Sequence, residues 1–115
     1  MALNNTILNV GANAMRSEMR FLSLHYNVPD GAGSSESTAP RRPSAWAVPD
    51  NGDLVSASIN FTGGQANGPV RAVGFWNVES GGTFFGYYPV ATGDQLFNGE
   101  GNYLLGAFTL IGGST

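Results

Sequence analysis

The sequence lacks cysteine altogether and has few charged residues. Its 115 residues include 5 Lys and Arg and 8 Asp and Glu. Without thiols the chain has neither a disulfide framework nor a thiolate metal site. Charged residues make up 11% of the chain, compared with about 25% in ordinary soluble domains. So neutral a surface predicts either a permanent assembly, which the pattern favours, or a monomer made soluble by Ser, Asn, Thr and Gly.

Two further absences exclude classes of partner. The net charge is −3 and the pI is near 4.7, whereas nucleic-acid binding requires clustered Lys and Arg. No apolar run reaches the ~18 residues of a membrane span, and the opening MALNNTIL lacks the charged start of a secretory signal. The sequence therefore predicts one domain over residues 1–115 that starts at Met1, does not bind nucleic acid and has no membrane span.

Catalytic groups are also scarce. The only histidine, His25, falls in a predicted strand, where a structural role is more common than metal ligation. The glycine clusters lead into strands rather than helices, so they do not predict a phosphate loop. We predict no enzyme, no metal and no cofactor; a carboxylate pair from different loops is the alternative that sequence leaves open. The acidic residues fall almost entirely in predicted turns: Asp30, Glu36, Asp50, Asp53, Glu79, Asp94 and Glu100.

Residues 68–90 form the most regular stretch, GPVRAVGFWNVESGGTFFGYYPV. Apolar and β-favouring residues run up to the turn at 79–82 and resume after it, which predicts a β-hairpin. Alternation places Val70, Ala72 and Trp76 on one face of the first strand and Val73 and Phe75 on the other. A hairpin that is apolar on both faces is expected inside a sandwich or against another subunit.

The rest of the chain predicts a helix followed by short strands. A helical start spans residues 1–18, with Ile7, Val10, Ala14 and Met15 at helical spacing. Residues 27–42 read as a long loop, either a mobile linker or an arm that reaches an adjacent copy. Further strands are predicted at 19–26, 44–48, 54–61, 95–97 and 103–111. The fold class is all-β, an antiparallel jelly-roll-like β-sandwich, mainly over 44–111, of about six or seven strands with a short N-terminal helix.

Three segments in this order resemble a family of small structural proteins of tailed bacteriophages, the minor tail or tail-fibre proteins. They are the Met-Ala-Leu opening on a helix, FLSLHYNVPDGAG at 21–33, and the 68–90 hairpin followed by TGDQLFNGEGNYLL at 92–105. The likeness covers most of the chain but departs at Arg41-Arg42-Pro43. It implies a virion building block with no catalytic residues to carry over.

The expected function is therefore assembly on a phage particle. Closed symmetry, such as a trimer or ring, satisfies apolar faces without open growth. A capsid decoration protein and a host-surface or carbohydrate-binding module are the alternatives, and exposed aromatic side chains in an open groove would favour the latter. Partners are thus further copies of the chain, other virion proteins and, in the last case, a host-surface glycan. The predicted interface residues are Ile7, Val10, Ala14, Phe75, Trp76, Phe85, Tyr87 and Tyr88.

Overall fold

One helix and eight strands make up the regular structure in a computed structural model that describes residues 5–47, 53–90 and 95–110. In chain order they are α1 (Asn5–Glu18), β1 (Phe21–His25), β2 (Arg42–Pro43), β3 (Leu54–Ser56), β4 (Ile59–Phe61), β5 (Ala72–Trp76), β6 (Phe84–Pro89), β7 (Tyr103–Leu105) and β8 (Phe108–Leu110). The prediction of an all-β, sandwich-like fold with an N-terminal helix is confirmed. The strands are shorter than expected, and eight replace the predicted six or seven: two predicted strands are each broken in two, β2 was not predicted, and two predicted short strands are reduced to single bridges.

The strands form three antiparallel sheets. A four-stranded sheet has the order β2-β1-β5-β6, while β3 pairs with β8 and β4 pairs with β7. The hairpin prediction is confirmed, since β5 and β6 pair antiparallel with Val73 opposite Tyr88. Strand β5 lies in the middle of its sheet and all five of its residues are buried, as a strand with two apolar faces requires.

The two faces of the four-stranded sheet are covered by different parts of the chain. One face packs its Leu22, Leu24, Val73 and Phe75 into the main core against residues of the smaller sheets. Aromatic rings join the layers there, with the centroid of Trp46 5.8 Å from that of Phe75 and 5.6 Å from that of Phe108. This packing between sheets makes the fold a sandwich.

The opposite face is covered by residues 27–41. The sequence predicted residues 27–42 as a long loop, either an arm that reaches an adjacent copy or a mobile linker; the loop instead packs on the sheet of its own chain. Two backbone hydrogen bonds tie the segment to the β1 end, from Tyr26 N to Ser35 O (3.0 Å) and from Ser37 N to Leu24 O (2.8 Å). Gly33 has a φ of +81°, and a Cβ there would lie 2.6 Å from the Trp76 ring, so the close crossing over that ring requires glycine.

The predicted strand over 54–61 bends, which reverses part of its predicted alternation. Ile59 and Phe61 are buried as expected, but Val55 is exposed and Ser56 is buried. Residues 57 and 58 separate β3 from β4, while Gly106 and Ala107 separate the partner strands β7 and β8. Because the buried Ser56 and the buried Ile59 are three positions apart in the sequence, the inward-facing positions change from even to odd across the break.

Helix α1 is present as predicted, but Val10, Ala14 and Met15 of its predicted apolar stripe are exposed rather than buried within the chain. Val10 is 59% exposed and Met15 is 40% exposed, whereas Ala12 on another side of the helix is 2% exposed. The helix end is fixed by the indole of Trp46, which donates to the Met19 carbonyl at 2.9 Å. A short helix in water needs tertiary packing to persist, and here the chain itself supplies little of it along the predicted stripe.

Some predictions lie wholly or partly outside the described residues. They concern residues 1–4 of the helical start, the side chain of Ile7, the end of the 44–48 strand, the turns at 49–52 and 91–94, and the C-terminal residues 111–115. The other predicted short strands at 44–47 and 95–97 each appear only as a single bridge, Trp46 to Ser56 and Leu96 to Pro69.

Candidate functional site

A chain of polar side chains is buried between the four-stranded sheet and the segment that covers it. The Trp76 indole donates to Ser23 Oγ at 2.8 Å, and Ser23 Oγ lies 2.6 Å from His25 Nε2. On its other side, His25 Nδ1 lies 2.7 Å from the Ser34 carbonyl. Alternation on β1 and β5 places these groups on one face, because Ser23 pairs with Gly74 and Phe21 pairs with Trp76.

The contacts of His25 define which ring nitrogen carries the proton when the imidazole is neutral. A carbonyl oxygen only accepts, so Nδ1 carries the proton and donates to Ser34, and Nε2 then accepts from the Ser23 hydroxyl. Ser23 in turn accepts from Trp76, so both ring nitrogens of His25, the Ser23 hydroxyl and the Trp76 N–H each have a hydrogen-bond partner. Burial lowers the pKa of His25 below its usual 6.5, and the positive charge of Arg41 acts in the same direction, against the Ser34 carbonyl and Glu36. The imidazole is therefore neutral at pH 7.

Arg41 forms the second half of the site. Its guanidinium binds both carboxylate oxygens of Glu36, at 2.8 and 3.1 Å, and donates to the carbonyls of Val78 and Gly81 at 3.0 and 2.8 Å. The same group lies 3.5 Å from the centroid of the Trp76 ring. Arg41 is 8% exposed, and its buried positive charge is compensated by four hydrogen bonds and an ion pair with Glu36.

The arrangement is suited to holding the chain together rather than to chemistry on a substrate. Ser23 and His25 have the distance of a nucleophile and its base, but both are 0% exposed. The Nδ1 atom donates to a backbone carbonyl instead of a carboxylate that would stabilise an imidazolium. In the described parts of the chain, no group of three or more His, Asp or Glu could hold a metal ion.

The predicted interface residues divide into exposed and buried groups. Val10 and Ala14 are exposed on α1, and Phe85 and Tyr87 are 43% and 44% exposed on β6. Phe75 and Trp76 are 4% and 6% exposed, so the placement corrects their assignment to a contact with a partner. Tyr88 is half-buried and stacks on Phe108 with centroids 5.2 Å apart. Strand β5, which has two apolar faces, is covered on both by its own chain. The alternation of the sequence could not distinguish this from cover by another subunit.

An open groove runs beside the exposed aromatic residues of β6. It has a volume of about 260 Å³ and lies between residues 29–31 and 84–87. The Asp30 side chain at its rim accepts from the backbone N–H groups of Ala32 (2.9 Å) and Ser34 (3.3 Å), and these hydrogen bonds lower the pKa of its carboxyl. Tyr87 and Phe85 line this groove, whereas Trp76 does not.

Sequence reasoning predicted His25 as a structural residue but missed Ser23, Glu36 and Arg41. The available signal was weak: Ser23 lies two positions before His25, which puts both on one strand face. Glu36 and Arg41 lie in a segment with too many polar residues to predict burial. Only the folding of that segment over the sheet brings them to Trp76.

Comparison with protein-family models, with curated proteins and with solved structures finds no match to this chain. The fold and site therefore define its class, an all-β sandwich-like protein with an internal polar cluster. Over the described residues, no helix is long and apolar enough to cross a membrane.

Proposed function

We propose that this protein is a structural component of a bacteriophage virion, a minor tail or tail-fibre subunit that acts by self-assembly and docking on the particle. The observation that carries the proposal is the apolar side chains that the chain leaves uncovered on α1 and β6, Val10, Met15, Phe85 and Tyr87. The low charge of the chain and its sequence resemblance to small phage tail proteins support the same conclusion. The proposed location of the protein is the virion.

Self-assembly is tested by light scattering after size exclusion over a concentration series. We expect a closed oligomer, a trimer or a ring, because closed symmetry covers these side chains without unlimited growth. Val10→Lys or Tyr87→Lys should lower the mass, since each places a charge in the proposed contact. Asn60→Lys adds the same charge at an exposed polar position and should leave the mass unchanged. A monomer at all concentrations would contradict self-assembly.

Position on the particle is tested by immunogold labelling of purified virions with an antibody against the chain. Label at the tail supports the proposal. Label over the shell would instead favour a capsid decoration protein, and unlabelled particles that also lack the protein by mass spectrometry would reject a virion role.

A host-surface glycan-binding module is the second candidate, because Phe85 and Tyr87 line an open groove with the carboxylate of Asp30 at its rim. Aromatic faces and carboxylate acceptors suit a sugar. Glycan-array binding that is lost in Tyr87→Ala but retained in Tyr26→Ala, a change at another exposed tyrosine, would favour this function. Absence of binding would leave assembly as the explanation of these side chains.

A further inference from the structure

The imidazole of His25 lies at the contact between the four-stranded sheet and residues 34–41. It joins the two directly, because Nε2 bonds Ser23 on β1 and Nδ1 bonds the Ser34 carbonyl. Around it the segment is fixed by the backbone bonds of Tyr26 and Ser37 and by Arg41. A change in the protonation of the imidazole therefore affects the hydrogen bonds that attach the segment to the sheet.

Protonation of His25 disrupts one of these hydrogen bonds. With a proton on Nε2, the imidazolium must donate to Ser23 Oγ, which already accepts from Trp76. The Ser23 hydroxyl hydrogen then loses its acceptor in a buried place, which carries a free-energy penalty. Water has little room to replace it, since a Cβ on Gly74 would lie 2.5 Å from Nε2, 2.7 Å from Ser23 Oγ and 2.9 Å from the Phe84 ring.

The charged groups that face His25 do not compensate for its positive charge. They are Glu36, which favours the imidazolium, and Arg41, which opposes it. Both oxygens of Glu36 already bind the guanidinium of Arg41, so the carboxylate is a partner of that cation. Arg41 is held in turn by the carbonyls of Val78 and Gly81, and an imidazolium would add a second cation to the cluster.

We propose that His25 is an acid-sensitive latch: its neutral form fastens residues 34–41 over Trp76, and its protonation releases that segment while the main core stays folded. Release gives the imidazolium water to donate to and uncovers the Trp76 face of the sheet. Most of the core is on the opposite face, where Leu22, Leu24, Val73 and Phe75 pack against the smaller sheets. Within the segment, Ala39 is the one residue that also belongs to this core, so release of the rest of the segment leaves the core in place. Local opening of such a segment needs less free energy than global unfolding.

The direction with pH follows from the lowered pKa of His25. With the segment closed, the pKa of His25 is lowered, whereas with the segment open the imidazole binds a proton below its usual pKa of 6.5. The latch is therefore intact above pH 6.5 and weakens as the pH falls below it. Over this window the opening equilibrium should rise about tenfold for each pH unit. The effect levels off once the closed form also takes up the proton.

Amide hydrogen exchange measured by NMR between about pH 7.5 and about pH 5 tests the latch, above the ordinary titration range of carboxylates. After correction for intrinsic rates, protection of the Tyr26 and Ser37 amides should fall about tenfold per pH unit below 6.5. The amides of Ala47 and Phe97, bonded to Val55 and Gly68 in the body of the fold, are internal references and should change little. An equal loss at all four amides, or no loss at Tyr26 and Ser37, would overturn the proposal.

The chain contains one histidine, so its imidazole signals need no assignment variants. They should show a proton on Nδ1 at neutral pH; a proton on Nε2 would contradict the latch. In His25→Asn the amide can still donate to Ser34 but does not titrate, and the pH slope at Tyr26 and Ser37 should disappear. A slope that persists in this variant would assign the opening to another group and reject the proposal.

Discussion

At the scale of single residues, one arginine makes several of the contacts that hold residues 34–41 on the sheet. Arg41 reaches a carboxylate, two carbonyls of the 78–81 turn and an aromatic ring. Its neighbour Arg42 is exposed on the edge strand β2. The sequence does not distinguish these two arginines, since both lie between prolines in a polar stretch. The structure does, because only Arg41 points into the contact between layers.

We predict that Arg41→Ala lowers the free energy of unfolding by about 2–3 kcal/mol. Breaking a buried pair typically costs about 3–5 kcal/mol, and the Glu36 side chain is 29% exposed, so solvation of the remaining carboxylate reduces the loss. Urea denaturation measures the effect. Arg42→Ala is the matched control, and its change should stay within about 0.5 kcal/mol. Equal effects of the two substitutions would show that the Arg41 contacts contribute little.

At the scale of elements, burial varies widely between the hairpin and the helix. Strand β5 is buried along its whole length, and β6 alternates between half-buried and exposed positions because it is the edge of the sheet. The bulge beside Phe75 and Trp76 and the proline at the end of β6 limit the addition of another strand to that edge. Contacts with a partner are therefore expected through side chains of β6 and α1 rather than through a continuous sheet.

We predict that Gly11→Ala increases helicity without stabilising the core. Alanine is favoured over glycine in a helix by about 1 kcal/mol, and a Cβ at Gly11 meets no atom within 4 Å. Because Val10 and Met15 on α1 are exposed, the added stability of the helix should not increase the free energy of unfolding of the sheets. Circular dichroism should show more helix while the urea midpoint followed by tryptophan fluorescence is unchanged. A clear shift of that midpoint would show that the helix unfolds together with the sandwich.

At the scale of the whole molecule, low charge and uncovered apolar side chains favour association. A chain with net charge −3 has weak long-range repulsion between copies. Its buried polar cluster is satisfied within one chain, so assembly is not needed to complete it. This separates the two surfaces of the molecule: the internal cluster maintains the fold, while α1 and the exposed side of β6 are free to contact a partner.

We predict that the melting temperature rises with protein concentration, because an oligomer that binds only folded chains stabilises them by mass action. Differential scanning calorimetry over a hundredfold concentration range measures this. In Val10→Lys the rise should be reduced, while Asn60→Lys should behave as the unaltered chain does. A melting temperature that is independent of concentration in the unaltered chain would contradict association through the folded state.

The sequence by itself determined the class of fold, the position of the helix and the central hairpin. These follow from local periodicity and turn residues, such as the alternation around Val73 and Phe75 and the glycines at 81 and 82, which have positive φ. Only the tertiary structure decided what covers each face. It placed residues 27–41 over Trp76, broke the 54–61 strand, and buried Arg41 while leaving Val10 exposed. The physical reason is that burial depends on contacts between segments far apart in the chain, whereas periodicity records only which side chains share a face.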